Sequence, residues 1–369
     1  MRCHLGNHCK FLRLSLASAS RCCVAAALKW GHNLDLAMPP ASSSNKQRTV
    51  PRPQTVGFLL VPGFALLAYA SAVEPLRAAN RLSGQDLYRW KNISPGEPVT
   101  MASCGIGITA NGLVGEELDL DLLFVIAGGN PFEFRDAAAF AWLRKLANQG
   151  VRMGGISGGP VILARADLLK GRRCTVHWEH VPAFRETFPT LHLTENLYEI
   201  DGDRLTCAGS TAALDMMHAL LAAQHGSVLG GAVSDWFLQT QIRECTVRQR
   251  LTLKDRYDVK DRKLLTILQY IEDAGEKPVG RAELANLVGI SVRQLERLFR
   301  NHLGTSVTTH TKEVRLAKAR LLLRQTSLSV IEVGNACGFS SASHFSHCYA
   351  SRFGHPPRAE RRSAKNRAY

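Results

Sequence analysis

The spacing of apolar residues divides most of the chain into two parts with different periodicity. Between about residues 55 and 225, continuous apolar runs alternate with segments of helical composition. Such runs are typical of strands buried on both faces, and their alternation with helices predicts a parallel sheet covered by helices on both sides. From about residue 261 onward, apolar residues recur at i, i+3 and i+4, the period of amphipathic helices. The pattern therefore predicts an α/β domain followed by an all-α domain.

The elements of the first part are bounded by glycine and proline. We predict strands at residues 55–61, 122–127 and 151–156, and helices at residues 65–80, 137–149, 159–169 and 212–225. Pro62-Gly63 and Gly128-Gly129 end the first two strands, and Pro75 is expected to kink the first helix.

A helix-turn-helix pattern occurs twice in the second part. Each copy begins with a small residue and, four positions later, a glycine: Ala285 and Gly289, then Gly334 and Gly338. The small residue lets two helices approach, and the glycine supplies the positive φ of a tight turn. These pairs are 49 residues apart, whereas the apolar positions that follow are 50 apart. We therefore predict two similar folding units, joined by one helix over residues 305–326.

The second helix of each unit has one apolar stripe and one exposed face. Ser291 and Ser341 are the expected N-caps. The buried stripes are predicted to be Leu295, Leu298 and Phe299 in the first copy and Phe345, Cys348 and Tyr349 in the second. The remaining face is the candidate base-reading surface: Arg293, Glu296, Arg297 and Arg300 in the first copy, and Ala342, Ser343 and His347 in the second.

Residues 261–362 resemble the two-motif DNA-binding domain of AraC/XylS transcription regulators. The resemblance is carried by RAELA at 281–285, SVRQLERLF at 291–299 and ACGFSSASHFS at 336–346. It implies base contacts from the exposed residues just named, apart from Arg300, which extends the same face. His347 departs from the family pattern, which commonly has arginine there. A neutral imidazole cannot make the bidentate guanine contact of a guanidinium, so we expect weaker readout by the second unit.

Charge agrees with a nucleic-acid partner. Residues 278–369 contain 15 Lys and Arg against 5 Glu and no Asp, whereas residues 56–277 contain 23 basic and 25 acidic residues. Because the basic excess is localised, we expect double-stranded DNA as a partner.

The third predicted strand passes directly into a helix through GGISGGP at 154–160. Glycines on both sides of Ser157 are typical of a sharp elbow, which holds one side chain in a strained backbone above a helix N-terminus. In such sheets ligands bind at the carboxyl ends of the strands. We therefore predict a ligand site formed by Ser157, Gly158, Gly128, Gly129 and the adjacent Asn130, in which free N–H groups bind a carboxylate, although the glycines could equally serve close packing alone.

Residues 55–225 resemble the PfpI-like, class I glutamine-amidotransferase-like domain. The matching segments are VPGF at 61–64, AGGN at 127–130, the Ser157 elbow, RRCTVHWE at 172–179 and CAGSTAALD at 207–215. Enzymes of that superfamily use an elbow cysteine with a nearby acid or histidine. Here the elbow residue is serine, and residues 63–68, which follow the first strand, contain no glutamate, so we expect a non-catalytic, ligand-sensing domain. A hydrolase or amidotransferase that uses Ser157 and His177 is the alternative.

The resemblance extends to AraC-type regulators of carnitine, glycine betaine or arginine catabolism. Elbow amides favour a carboxylate, the Trp178 ring can bind a cation, and His177 can donate a hydrogen bond. These residues predict a zwitterionic amine or amino acid as effector. We therefore expect a cytoplasmic, ligand-responsive activator of a catabolic operon, with RNA polymerase and a second copy of the chain as partners. A structural nucleoid protein would instead have no effector site.

The predicted domain boundaries follow from composition. Residues 1–53 are expected to be a disordered extension and linker, which a start codon placed too far upstream would explain; Cys3, His4, His8 and Cys9 fit no usual zinc spacing. Residues 54–225 form the sensor, 226–260 a linker or dimerisation segment, 261–362 the DNA-binding domain and 363–369 a basic tail. No metal and no cofactor is predicted, and the 10 cysteines follow no disulfide framework.

Overall fold

A computed structural model describes residues 52–274 and 279–366 of the 369-residue chain, with side chains up to residue 362. The predicted extension, apart from Arg52 and Pro53, and the Cys3–Cys9 cluster lie outside the described residues. So do the side chains of the predicted basic tail. Within the described ranges, no helix is long and apolar enough to cross a membrane.

The strands all lie in the first part of the chain. They are Gln54–Leu60 (β1), Tyr88–Ser94 (β2), Val99–Met101 (β3), Gly107–Thr109 (β4), Gly112–Leu113 (β5), Leu122–Ala127 (β6), Arg152–Ser157 (β7), Arg173–Cys174 (β8), His192–Leu193 (β9), Tyr198–Asp201 (β10) and Arg204–Cys207 (β11).

Seven strands form the main sheet, in the order β10-β11-β7-β6-β1-β2-β5. All neighbours are parallel except β10 and β11, which are antiparallel. All six residues of β6 are buried, which explains its continuous apolar run. In β1, Phe58 and Leu59 belong to hydrophobic clusters on opposite faces of the sheet. The predicted α/β architecture is confirmed, with one antiparallel edge strand added.

The helices of the first part are Leu66–Ser83 (α1), Ala137–Asn148 (α2), Gly159–Arg165 (α3), Val181–Thr187 (α4), Ala212–His225 (α5) and Ser227–Trp236 (α6). Short 3-10 helices lie at Pro131–Glu133 and Trp178–His180. The helix predicted at 159–169 ends earlier, at Arg165, where Asp167 adopts a positive φ of 62°.

The helices of the second part are Leu253–Tyr257 (α7), Arg262–Asp273 (α8), Arg281–Leu287 (α9), Val292–Leu303 (α10), Val307–Gln325 (α11), Val330–Ala336 (α12), Ala342–Phe353 (α13) and Pro357–Asn366 (α14). Gly289 and Gly338 have φ values of 63° and 72°, as the tight turns require. A Cβ on Gly334 would lie 3.2 Å from the Phe345 ring, so a small residue is needed for the α12–α13 approach.

The two helix-turn-helix units belong to different hydrophobic clusters. The first unit has its own core, which includes Leu295 and Phe299 together with residues of α7 and α8. The second unit, with Phe345 and Tyr349, shares one cluster with a face of the sensor sheet. The C-terminal half of α11 contributes Leu316, Ala319, Leu322 and Leu323 to that shared cluster. The second unit therefore shares a hydrophobic core with the sensor, whereas the described core of the first unit contains no sensor residue.

Candidate functional site

Ser157 ends β7 in the sharp turn that the sequence predicts. Its φ is 61°, in the left-handed region that residues with a side chain rarely adopt. Gly209 packs directly against it, because a Cβ at Gly209 would lie 2.6 Å from the Ser157 Cβ. Ser157 directly precedes Gly158, the N-cap of α3, and the residue is 7% exposed. The strained elbow is thus a property of the fold.

His177 and Trp178 lie beside the elbow, twenty residues further along the chain. The His177 N–H donates to the Ser157 carbonyl oxygen at 3.2 Å. The His177 and Trp178 ring centroids are 5.4 Å apart, and Trp178 is 40% exposed. Burial lowers the pKa of His177, which favours a neutral imidazole. Within the described ranges, no hydrogen bond joins this ring to the Ser157 hydroxyl.

The backbone donors at the elbow differ in availability. The Gly158 N–H donates to the Ala127 carbonyl oxygen at 2.9 Å, so this donor, expected to be free, is engaged within the sheet edge. The N–H groups of Gly128 and Gly129 donate to no acceptor among the described residues. Gly128 is required for close approach, since a Cβ there would lie 2.6 Å from the Gly63 carbonyl oxygen. Of the predicted backbone donors of these three glycines, those of the Gly128-Gly129 turn are therefore the ones left available to an anion.

The end of α11 packs on the loops that flank the elbow. Asn130 Nδ2 donates to the Arg324 carbonyl oxygen at 2.9 Å, so this predicted ligand residue is engaged by the DNA-binding domain. His180 Nδ1 lies 3.2 Å from Gln325 Oε1. Burial lowers the pKa of His180 to about 4, against a smaller opposing effect of Gln325. This contact is therefore uncharged at neutral pH. The candidate site lies where the two domains meet.

The segment after α6 docks on the sensor. Asp215 is fully buried in α5, and Arg243 contacts its carboxylate through Nε at 2.9 Å and Nη2 at 2.6 Å. Further along, Gln249 Nε2 donates at 3.0 Å to the Thr175 hydroxyl oxygen and to two carbonyl oxygens of the sensor. Arg250 then places its guanidinium 4.9 Å from the Trp178 ring centroid. Sequence alone left docking and dimer contact open for this segment; the structure shows these contacts with the sensor, and a dimer contact stays a prediction.

The exposed face of α10 carries arginines without internal partners. Leu295 and Phe299 are fully buried and Leu298 is partly buried, as the stripe predicts. Arg293, Arg297 and Arg300 are exposed and make no hydrogen bond or ion pair with any described residue. Glu296 is less free, since its carboxylate lies 3.6 Å from Arg281 Nη1. Three guanidinium groups are thus available to nucleic acid on one helix face.

The equivalent face of α13 is small and uncharged. Ala342, Ser343 and His347 are exposed, while Phe345, Cys348 and Tyr349 are buried. Ser341 caps α13 by accepting the His344 N–H at 3.3 Å, and Ser291 caps α10 by accepting the Gln294 N–H at 3.2 Å. Both predicted N-caps are confirmed. The difference in arginine content between α10 and α13 therefore lies on their exposed faces.

A buried carboxylate joins the last helices of the second unit. The Glu360 side chain, 3% exposed, accepts hydrogen bonds from Arg320 Nε at 3.1 Å, Arg324 Nε at 2.6 Å and the Tyr349 hydroxyl at 2.9 Å. His355 Nε2 lies 3.2 Å away. Burial alone would raise the pKa of Glu360, but the hydrogen bonds from Arg324 and Tyr349 outweigh it and the pKa falls below its usual value. This network fixes α14 to α11 and α13.

Two family models match the two parts of the chain. The helix-turn-helix domain model matches residues 284–363, and the DJ-1/PfpI family model matches residues 56–223. The HTH-type transcriptional regulator CdhR of Pseudomonas aeruginosa is 46% identical over 308 residues, covering 84% of this chain and 91% of that protein.

This chain belongs to the AraC-type helix-turn-helix transcriptional regulators that carry a DJ-1/PfpI domain.

A second relative and a solved structure are also similar to this regulator. The HTH-type transcriptional regulator GlxA of Rhizobium meliloti is 42% identical over 322 residues, covering 87% of this regulator and 98% of that protein. A crystal structure of an AraC family transcriptional regulator from Pseudomonas putida is 26% identical, covers 50% of this regulator and 100% of that chain, and has a TM-score of 0.44. The family model and these relatives thus identify a DNA-binding transcription regulator.

Several contacts of this regulator were not predicted from sequence. Asn130 gave a signal only as the residue after a Gly-Gly turn, and nothing local connects it to Arg324, which is 194 residues away. Arg250 likewise lies in a segment without periodicity. Asp215 had one usable signal, because a carboxylate inside an otherwise apolar helix needs a partner. That partner, Arg243, could not be chosen among the many basic residues.

Proposed function

We propose that the DJ-1/PfpI domain binds a small zwitterionic amine or amino acid at the Ser157 elbow and that occupancy changes promoter binding. The observation that carries this proposal is the position of the elbow loops against the end of α11. Asn130 and His180 flank the elbow and contact Arg324 and Gln325, which end the helix shared by both helix-turn-helix units. A ligand that moves these loops therefore biases the arrangement of the DNA-binding domain.

The effector class follows from the chemistry beside the elbow. The free Gly128 and Gly129 N–H groups suit a carboxylate, and the exposed Trp178 ring suits a cation. Neutral His177 supplies one further polar group. Carnitine, glycine betaine and basic amino acids combine a carboxylate and a cation in one small molecule. We propose that the regulator activates a catabolic operon for such compounds, acting in the cytoplasm as a homodimer that recruits RNA polymerase.

A thermal-shift screen of the full chain against amino acids and quaternary amines tests this function. A ligand present at 100 times its dissociation constant stabilises the folded protein by about 2.7 kcal/mol. We expect at least one zwitterionic amine to raise the melting temperature. Gel shifts with promoter DNA should then respond to the same compound. A flat response to every compound would contradict the proposed effector class.

Replacement of Trp178 by alanine is expected to weaken binding of a quaternary amine by roughly 2- to 30-fold, the usual range for loss of a cation–π contact. The melting temperature without ligand should hardly change, because the side chain is half-exposed. Isothermal titration with glycine betaine measures the loss. The matched ligand control is 3,3-dimethylbutanoate, which has the same shape and carboxylate but no positive charge; equal binding of the two compounds would argue against a cation site.

We also propose that this domain is non-catalytic, although the left-handed Ser157 is shaped like a nucleophile elbow. An unactivated serine is a poor nucleophile, and no hydrogen bond within the described ranges links its hydroxyl to His177. Ser157→Ala should therefore leave ligand-dependent transcription from the target promoter intact in a reporter assay. Ser157→Val, which adds bulk at the packed Gly209 contact, is the control for a purely steric role. Loss of the response in the alanine variant would favour the hydrolase alternative.

A further inference from the structure

The Trp178 ring of the candidate effector site already has a cation beside it. The Arg250 guanidinium lies 4.9 Å from the ring centroid, and the other ring contact of Trp178 is His177. Arg250 lies two residues before Thr252, the N-cap of α7. No carboxylate lies within ion-pair distance of this guanidinium in the described part of the chain. Among the described residues, the partner of this guanidinium is thus the aromatic ring itself.

We propose that Arg250 is an internal occupant of the effector site and that a cationic effector binds by displacing it from Trp178. This inference rests on the proposed function, since it takes the Trp178 ring as the cation-binding part of that site. A guanidinium and a quaternary or primary ammonium group are attracted by the same negative face of an indole ring. One ring face at that distance accommodates one cation, so the two compete.

The contact is weak enough to be exchanged. An exposed cation–π pair contributes only about 0.5–1 kcal/mol. Partial burial, and next the nearby charge of Arg256, lower the pKa of Arg250, so the segment holds this charge in an unfavourable place. The neighbouring Gln249 has a buried Oε1 without a hydrogen-bond partner among the described residues, although its Nε2 is fully used. An acceptor that is buried without a partner costs free energy, so this docked position of the segment is not fully satisfied.

Displacement of Arg250 has a direct consequence for the DNA-binding domain. The segment pairs with the sensor through the Leu197 N–H to Cys245 carbonyl bond, at 2.8 Å, and through an isolated bridge between Asn196 and Arg248. Beyond Arg250 it leads at once into α7, whose Leu253 is part of the core of the first helix-turn-helix unit. Freeing Arg250 thus loosens the one end of the segment that continues into the arginine-bearing unit.

Titration of glycine betaine and L-carnitine into the full chain and its Arg250→Ala variant tests the displacement. Removal of the internal competitor is expected to raise affinity about two- to fivefold. Arg248→Ala is the matched control, since Arg248 carries the same charge two positions away but bonds Gln269 and not the ring. It should leave affinity unchanged. In a Trp178→Leu background, Arg250→Ala should have no effect.

Hydrogen exchange of peptides covering residues 245–252 gives a second readout. Glycine betaine should speed exchange there in the wild-type protein, and Arg250→Ala should show the faster exchange without ligand. Unchanged affinity in Arg250→Ala, or an equal gain in Arg248→Ala, would overturn the displacement while leaving the effector assignment in place. If neither compound binds the wild type or Arg250→Ala, the proposed effector class is wrong and the displacement with it.

Discussion

Replacement of Arg297 by alanine is expected to reduce discrimination between the operator and random DNA by about 1–3 kcal/mol, or roughly 5- to 150-fold. Arg297 is exposed on α10 and makes no ion pair with any described residue, so its guanidinium is free for a bidentate contact with a guanine edge. His347, on α13, cannot make the bidentate guanine contact of a guanidinium. His347→Ala should therefore cost less than Arg297→Ala.

Competition gel shifts measure this difference. The salt concentration is kept fixed and moderate, because phosphate contacts make the affinity for any DNA depend on salt. Arg89→Ala is the control, since Arg89 is an exposed arginine of the sensor strand β2, paired with Asp86. It should change neither affinity nor discrimination. A larger loss for His347→Ala than for Arg297→Ala would contradict the expected dominance of the first unit.

Replacement of Glu360 by alanine is expected to destabilise the second helix-turn-helix unit by about 2–3 kcal/mol at pH 7. Breaking a fully buried ion pair typically costs about 3–5 kcal/mol. The value here should be lower, because the Arg320 and Arg324 side chains are about one-third exposed and water screens the charges that remain. Native-state hydrogen exchange of α13 measures the loss locally.

The same network makes a pH-dependent contribution. Because the pKa of Glu360 is lowered by folding, its stabilising effect is complete above the unfolded-state pKa of about 4.3 and is lost as pH falls through the lower folded-state value. Wild type and Glu360→Ala should therefore converge in stability below about pH 4. Glu117→Ala, which removes an exposed partner of Lys145, is the control and should cost no more than about 1 kcal/mol. A constant difference between wild type and Glu360→Ala down to pH 3 would argue against the network.

The sequence predicts local elements of this fold well and long-range contacts poorly. The apolar run at 122–127 is buried on both faces and specifies a strand. The stripe containing Leu295 and Phe299 has the period of an amphipathic helix and specifies a helix. Strand β11, which neighbours β7, is only four residues long and carries no comparable signal. Neither this strand nor the antiparallel edge that it forms with β10 is therefore predicted from the sequence.

The candidate site shows the same division. The Ser157 elbow and the proximity of His177 follow from a glycine-rich turn and a family resemblance, and the structure places the two residues in contact through their backbones. The hydrogen bond from Asn130 to Arg324 and the contact of Arg250 with the Trp178 ring depend on how distant segments pack. The tertiary packing decides which distant residues meet. The sequence does not show this, because many polar residues are equally able to form hydrogen bonds.

Engineers who build biosensors often exchange a ligand-binding module at the connecting segment and keep the promoter-binding module unchanged. In this regulator Asn130 and His180 precede the connecting segment and the end of α11 follows it, so such an exchange would remove the sensor's contacts with α11. A chimera joined anywhere in residues 226–260 would therefore need a donor module with compatible groups at both positions, or matching changes at Gln325. Compatibility at these positions, more than the choice of fusion point, should decide which chimeras still switch.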